Sequence, residues 1–172
     1  MESAIVSIVS LGLVIFAAVT MMMHSFSSVN SVTESWLEME QKAEEIRRTA
    51  ITLTPPDLYT GGDIDLLVTN EGETDLADFS HWDIITRYQG GGVSYVTYSD
   101  NSSPEDGQWV VKGIYLSDNL TTGEIFDLDV LNPGETAWLQ LKPYPVIAIG
   151  EYGRITASTE NGVTAQCNVY RH

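Results

Sequence analysis

The sequence predicts an α+β chain: one long hydrophobic N-terminal helix followed by an all-β, Ig-like sandwich. Three observations lead there. Upstream of Pro55-Pro56 there is no proline and only one glycine, Gly12, whereas all six prolines and the other thirteen glycines lie from that point on. No Lys, Arg, Asp or Glu occurs between Glu2 and Glu34. Beyond the prolines, short alternating apolar and polar runs are separated by Gly-, Asn- and Pro-containing turn signals. The expected division is therefore a core helix over 1–53 and an outer β domain over 54–172.

The helix rests on spacing. Ile5, Ile8, Gly12, Ile15, Val19, Met22, Phe26, Val29, Val32, Trp36, Met39, Ala43, Ile46 and Ala50 recur at steps of three and four, a heptad-like seam from residue 5 to 50. In residues 29–50 the seam is sharp, because polar and charged residues fill the remaining positions. At ~1.5 Å per residue such a helix is roughly 70 Å long, more than twice the ~30 Å of a bilayer core. It therefore extends beyond any membrane and must still bury a stripe. Ser3, Ser7 and Ser10, with Ala4, Ala17 and Ala18, supply small residues at helical spacing, which let helices approach closely in apolar surroundings. The basic flank that orients a single-pass anchor is missing: the first base is Lys42. A removed basic leader, with Met1 as the first residue of the mature chain, would account for that.

The β domain is read as eight strands: 63–69, 82–88, 93–98, 108–116, 124–131, 136–142, 154–159 and 163–170. Turn signals separate them at Asn70-Glu71-Gly72, Gly90-Gly91-Gly92, Asn132-Pro133-Gly134 and Asn161-Gly162. In the last run Val163, Ala165, Cys167 and Val169 share one face, and Thr164, Gln166 and Asn168 the other. Strands of this length and spacing suggest two packed sheets.

Composition narrows the function. The chain carries 24 acidic and 8 basic residues, a formal net charge of −16, which opposes nucleic-acid binding. Acidic outer domains should on average repel one another at low salt. The single cysteine, Cys167, excludes an intrachain disulfide. No catalytic motif is present, and His24, His81 and His172 have no ligand spacing, so neither a catalytic residue nor a metal ligand is expected. Asp63 with Asp65, and Asp127 with Asp129, read as solvated faces of strands. The loop 99–107 is rich in oxygen ligands but lacks EF-hand spacing, and calcium is the sole cofactor candidate. Asn101-Ser102-Ser103 and Asn119-Leu120-Thr121 are N-x-[ST] sequons, which nominate Asn101 and Asn119 as glycan acceptors.

Together the opening MESAIVSIVSLGLVIFAAV, its continuation as helix to about Thr52 and the β domain resemble archaeal flagellins (archaellins) of the type IV pilin-like superfamily. The phrases DIDLLVTNEG, DFSHWDIITRY and LNPGETAWLQL also resemble the sandwich domains of archaellins and of archaellum stator proteins. The glutamate usual at the fifth mature position of type IV pilins is absent, since Ile5 stands there, which favours the archaellin branch. The resemblance implies a subunit processed by a leader peptidase and held in the membrane before assembly. An assembly ATPase and its platform would then build it into a homopolymeric extracellular motility filament with a helical core. It leaves open a membrane-anchored accessory protein that binds the cell envelope, and an adhesion pilin.

Overall fold

A computed structural model of the 172-residue chain describes residues 2–56 and 61–172. Met1 lies outside the described residues, as do the side chains of Glu2, Ala4 and Ser27. The described chain forms two compact units, residues 1–43 and 44–172.

The first unit is helix α1, which runs without interruption from Glu2 to Arg48 and so carries its last turn into the second unit. Hydroxyls in its apolar length turn back onto the helix: Ser7 Oγ donates to the Ser3 carbonyl at 2.9 Å, Thr20 Oγ1 to Phe16 at 2.8 Å and Ser25 Oγ to Met21 at 3.0 Å. Each polar group is thereby satisfied inside its own helix, which suits apolar surroundings. The seam is not strictly heptad. Phe26, Val29 and Val32 are two successive steps of three, which turns the stripe about the helix axis at that point.

The helix stops at Arg48, five residues short of the expected limit at 53, and Ala50 is not helical. Non-local pairing ends it. Ile51–Thr54 forms strand β1, with Ile51 and Leu53 buried and Thr52 and Thr54 exposed, and pairs antiparallel with β2 (Ile64–Asn70). The turn after β2 clamps the helix end: the amides of Glu71 and Gly72 donate to the Ala50 carbonyl at 2.9 and 3.0 Å, and that of Glu73 to Arg48 at 2.8 Å. Gly72 is required here. A Cβ at that position would lie 2.5 Å from the Ala50 nitrogen and 2.6 Å from the Arg48 oxygen.

The remaining strands are β3 (Asp83–Tyr88), β4 (Val93–Tyr98), β5 (Gln108–Tyr115), β6 (Thr136–Lys142), β7 (Tyr152–Ser158) and β8 (Thr164–Tyr170). Their order is β1-β2-β6-β5-β4-β3-β7-β8. All neighbours are antiparallel except β4 and β5, which meet in parallel through only two residue pairs, Thr97 with Gln108 and Tyr98 with Trp109. The result is a nearly closed sandwich: two four-stranded halves joined by a narrow seam, with Trp82, Trp109, Leu66, Leu139 and Ile155 in the shared core. On β8, Val169 is fully in that core and Ala165 and Cys167 pack against it half-buried, as does Val163 just before the strand.

One expected strand is missing. Residues 124–130 are irregular, and only Leu131 joins the core, through an isolated bridge to Leu76. Phe126, Leu128 and Val130 alternate cleanly with Asp127 and Asp129, so period alone would permit a strand here. The Glu124 carboxylate instead accepts the amides of Ile125 and Phe126 at 2.8 and 2.7 Å, which diverts them from a ladder. Asp127 and Asp129 therefore lie in an exposed loop and not on a strand face.

Candidate assembly surface

The surface without a partner is the helix itself. Of the described side chains from residue 3 to 48, all but Thr20 are exposed. The seam residues Ile5, Ile8, Gly12, Ile15, Val19, Met22, Phe26, Val29, Val32, Trp36 and Met39 are all among them, with Trp36 71% and Met39 70% accessible. Over Ile5–Arg48 the helix is long and apolar enough to cross a membrane. An apolar stripe of this extent is not stable in water alone; lipid, other helices, or both must cover it. Past the length of a bilayer, Val29, Val32, Trp36 and Met39 continue the stripe among charged residues.

The last helical turn is built for its junction. Arg47 and Arg48 place positive charge at the helix C-terminus, where it is favoured. Arg47 pairs with Glu44, and Arg48 Nε meets Glu73 Oε2 at 3.2 Å. Just beyond, buried Thr49 accepts the Asn161 amide at 2.7 Å through Oγ1 and donates to the Glu45 carbonyl at 2.9 Å. The hairpin signal Asn161-Gly162 is thus also an anchor for the end of the helix. Its turn places Gly162 at φ +87°, with the Gly162 amide donating to Thr159, the geometry of a type I turn closed by a left-handed glycine.

The sandwich presents two further surfaces. The outward face of β4-β3-β7-β8 carries Val93, Tyr95 and Tyr152, each more than half accessible, together with Arg87 and Arg154. Tyr95 donates its hydroxyl to Asp83, whose hydrogen bond and charge raise the phenol's pKa. The loop between β5 and β6 exposes Ile125, Phe126 and Leu128. At its base, burial pushes the Glu135 carboxyl above the ordinary range, while the amides of Phe126 and Ile125 hold Glu124 below it.

Both sequon asparagines are exposed. Asn119 Oδ1 accepts from the Thr121 amide at 3.1 Å and its hydroxyl at 2.6 Å. In the loop 99–107, Asp106 pairs with Lys142 at 3.0 Å and the Ser102 carbonyl accepts from Lys112. Among the described residues no three His, Cys, Asp or Glu side chains converge as metal ligands. His81 instead pairs with Asp78 at 2.7 Å, and its hydrogen bond and charge raise the imidazole pKa. The phrase DFSHW proves to be a core plug. A single 3-10 turn, Phe79–His81, sets the Phe79 and Trp82 rings 5.0 Å apart, and Trp82 Nε1 donates to Glu160 at 2.6 Å.

No family model and no curated protein matches this chain. Solved structures do. The archaeal flagellum of Methanospirillum hungatei strain JF1 aligns with a TM-score of 0.57 at 14% identity, over 96% of this chain and 90% of that one. The periplasmic archaellum stator protein FlaG of Sulfolobus acidocaldarius aligns at 0.51 and 19% identity, over 70% of this chain and 99% of that one. Archaeal flagellin FlaB1 of Methanocaldococcus jannaschii aligns at 0.50 and 15%, over 71% and 90%. At these identities the likeness speaks to fold. With its long apolar helix followed by a nearly closed sandwich, the chain has the fold of the archaellin-like proteins.

Proposed function

We propose that this chain is a non-catalytic structural subunit of an archaellum-type motility filament, with helices in the core and the acidic sandwich outside. The observation that carries the reading is the unbroken helix Glu2–Arg48 with its apolar length uncovered. The alignment with the filament of M. hungatei supports it, because its 96% coverage takes in the helix as well as the sandwich.

The helix serves two solvents. Residues 3–28 are apolar enough for lipid, and moving them from lipid to a helix bundle changes hydrophobic free energy little, so packing decides that step. The stripe beyond gains more. Val29, Val32, Trp36 and Met39 leave water on assembly, each worth ~1.5–3 kcal/mol when fully buried. The subunit would wait in the membrane, lose a leader to a peptidase, and be drawn into the bundle by an assembly ATPase and its platform. Asn101 and Asn119 would carry glycans on the outer surface, and calcium bound between outer domains would be a secondary modulator.

The second reading is a membrane-anchored accessory protein, favoured by the stator likeness of the sandwich. Imaging of sheared surface filaments, with mass spectrometry of their subunit, separates the two. The filament reading expects this chain as the major component, glycosylated at the sequons. Filaments lacking it would support the anchor.

A further inference from the structure

Charge on the sandwich is sorted by face. Residues 51–172 hold 18 acids and 5 bases. Yet the strands β3, β4, β7 and β8 contain only three charged residues, Asp83, Arg87 and Arg154. Arg87 and Arg154 sit directly opposite each other in the β3–β7 register. Like charges in that position oppose folding, and the chain has many acids with which to avoid it. No carboxylate answers them: among the described residues neither arginine forms an ion pair. Among the described residues their one side-chain hydrogen bond is from Arg154 Nε to Asn168 Oδ1 at 3.3 Å, across the β7–β8 register. That bond steadies one guanidinium and leaves its terminal nitrogens free. Val93, opposite Arg87 on β4, and Tyr152 at the start of β7 give the same face an apolar part.

The complement is on the same unit. The β5–β6 loop interleaves Ile125, Phe126 and Leu128, accessible at 76%, 90% and 62%, with Asp127 and Asp129. Phe126 so exposed, with Asp127 and Asp129 following it, matches a face of exposed apolar side chains around two unanswered guanidinium groups. The loop and the face are different surfaces of one unit, so a contact between copies is head-to-tail, the kind that an open helical array can repeat.

We infer that the 124–129 loop of one copy docks on the β4-β3-β7-β8 face of the next, with a carboxylate of Asp127 or Asp129 received by Arg87 and Arg154. The contact is a local attraction within a domain whose average charge repels. It is weak between free units and becomes populated when helix assembly holds copies at high effective concentration. For that concentration it rests on the assembly reading.

The test uses the full chain with Cys167→Ala, so that only introduced thiols report. One population carries Val93→Cys and the other Phe126→Cys; Thr52→Cys, exposed on β1, replaces Val93→Cys in the control. Oxidation is followed in assembled filaments and in the concentrated, detergent-solubilised chain. The Val93–Phe126 disulfide should form roughly tenfold faster than the Thr52–Phe126 control and slow as salt rises. Arg87→Glu with Arg154→Glu should reduce it to the control rate, and Asp127→Arg with Asp129→Arg on the other copy should restore it. Equal rates for the two pairs, or a rate indifferent to charge reversal, overturn the contact. Filaments that form without the cross-link refute the docking and leave the filament reading intact. Cross-links in the solubilised chain sustain the docking even where no filament forms.

Discussion

Asn70, fully buried at the end of β2, holds three backbone groups with one side chain. Its Nδ2 donates to Thr74 at 2.8 Å and Leu131 at 2.9 Å, and its Oδ1 accepts the Gly72 amide at 3.0 Å. Asn70→Ala would remove all three bonds; the Gly72 amide and the Leu131 carbonyl keep their bonds to Ala50 and Leu76, so the cost should be ~1–3 kcal/mol. Asn70→Asp should be no milder, because it loses both donors; urea unfolding of residues 44–172 measures either change. Gly72→Ala should destabilise by ~1–3 kcal/mol, since the obstructing atoms are backbone and cannot rotate away. The Cys167 thiol is pushed up to about 11 by burial. A raised folded-state value means a contribution fully present below the ordinary thiol range and lost as pH climbs through about 11. Unfolding free energy should accordingly decline over that alkaline window, and Cys167→Ser should remove that part of the decline.

At the scale of the element, the helix has two unlike halves. An ion placed at Ile15→Asp or Val19→Lys would be buried unpaired in any packed core, at a cost of several kcal/mol per copy. Cells carrying either change should retain the subunit in the membrane and show no filaments by electron microscopy. The halves differ under milder change. Ile8→Ala trades one apolar environment for another, while Trp36→Ala removes a large side chain that leaves water on assembly. Filaments with Trp36→Ala should therefore melt well below those with Ile8→Ala. Equal loss would mean that the stripe beyond residue 29 stays wet. The irregular segment 124–130 makes the complementary point, since alternation alone did not make it a strand.

For the whole molecule, the structure redraws the boundary that composition suggested. A fragment starting at residue 54 would lose β1 and with it the core residues Ile51 and Leu53. It would also lose buried Thr49 and its bond to Asn161. A fragment starting at Glu44 keeps them and should fold as a soluble monomer by analytical ultracentrifugation; one starting at 54 should aggregate or unfold. Whole filaments should draw their main cohesion from the helices. Removal of the apolar helix, and not added salt, should be what abolishes assembly, with salt only loosening the outer layer.

Much of this fold was legible in the sequence because its signals are local. A proline-free run with apolar residues at steps of three and four is a local helix signal, and alternation with Asn-Gly or Asn-Pro-Gly punctuation located seven of the observed strands to within a residue or two. The inward face of β8 followed from its period of two. The exposed seam residues could be listed, but their partner could not, because apolar surface does not name what covers it. Only the tertiary structure ended the helix at Arg48, where pairing of Ile51–Thr54 with β2 overrides the continuing apolar spacing. Only register set Arg87 against Arg154, 67 residues apart in sequence. Local periodicity fixes what a segment can become; which carbonyls, carboxylates and edges it meets depends on contacts distant in the chain, and those decided the helix end, the unpaired loop and the cationic face.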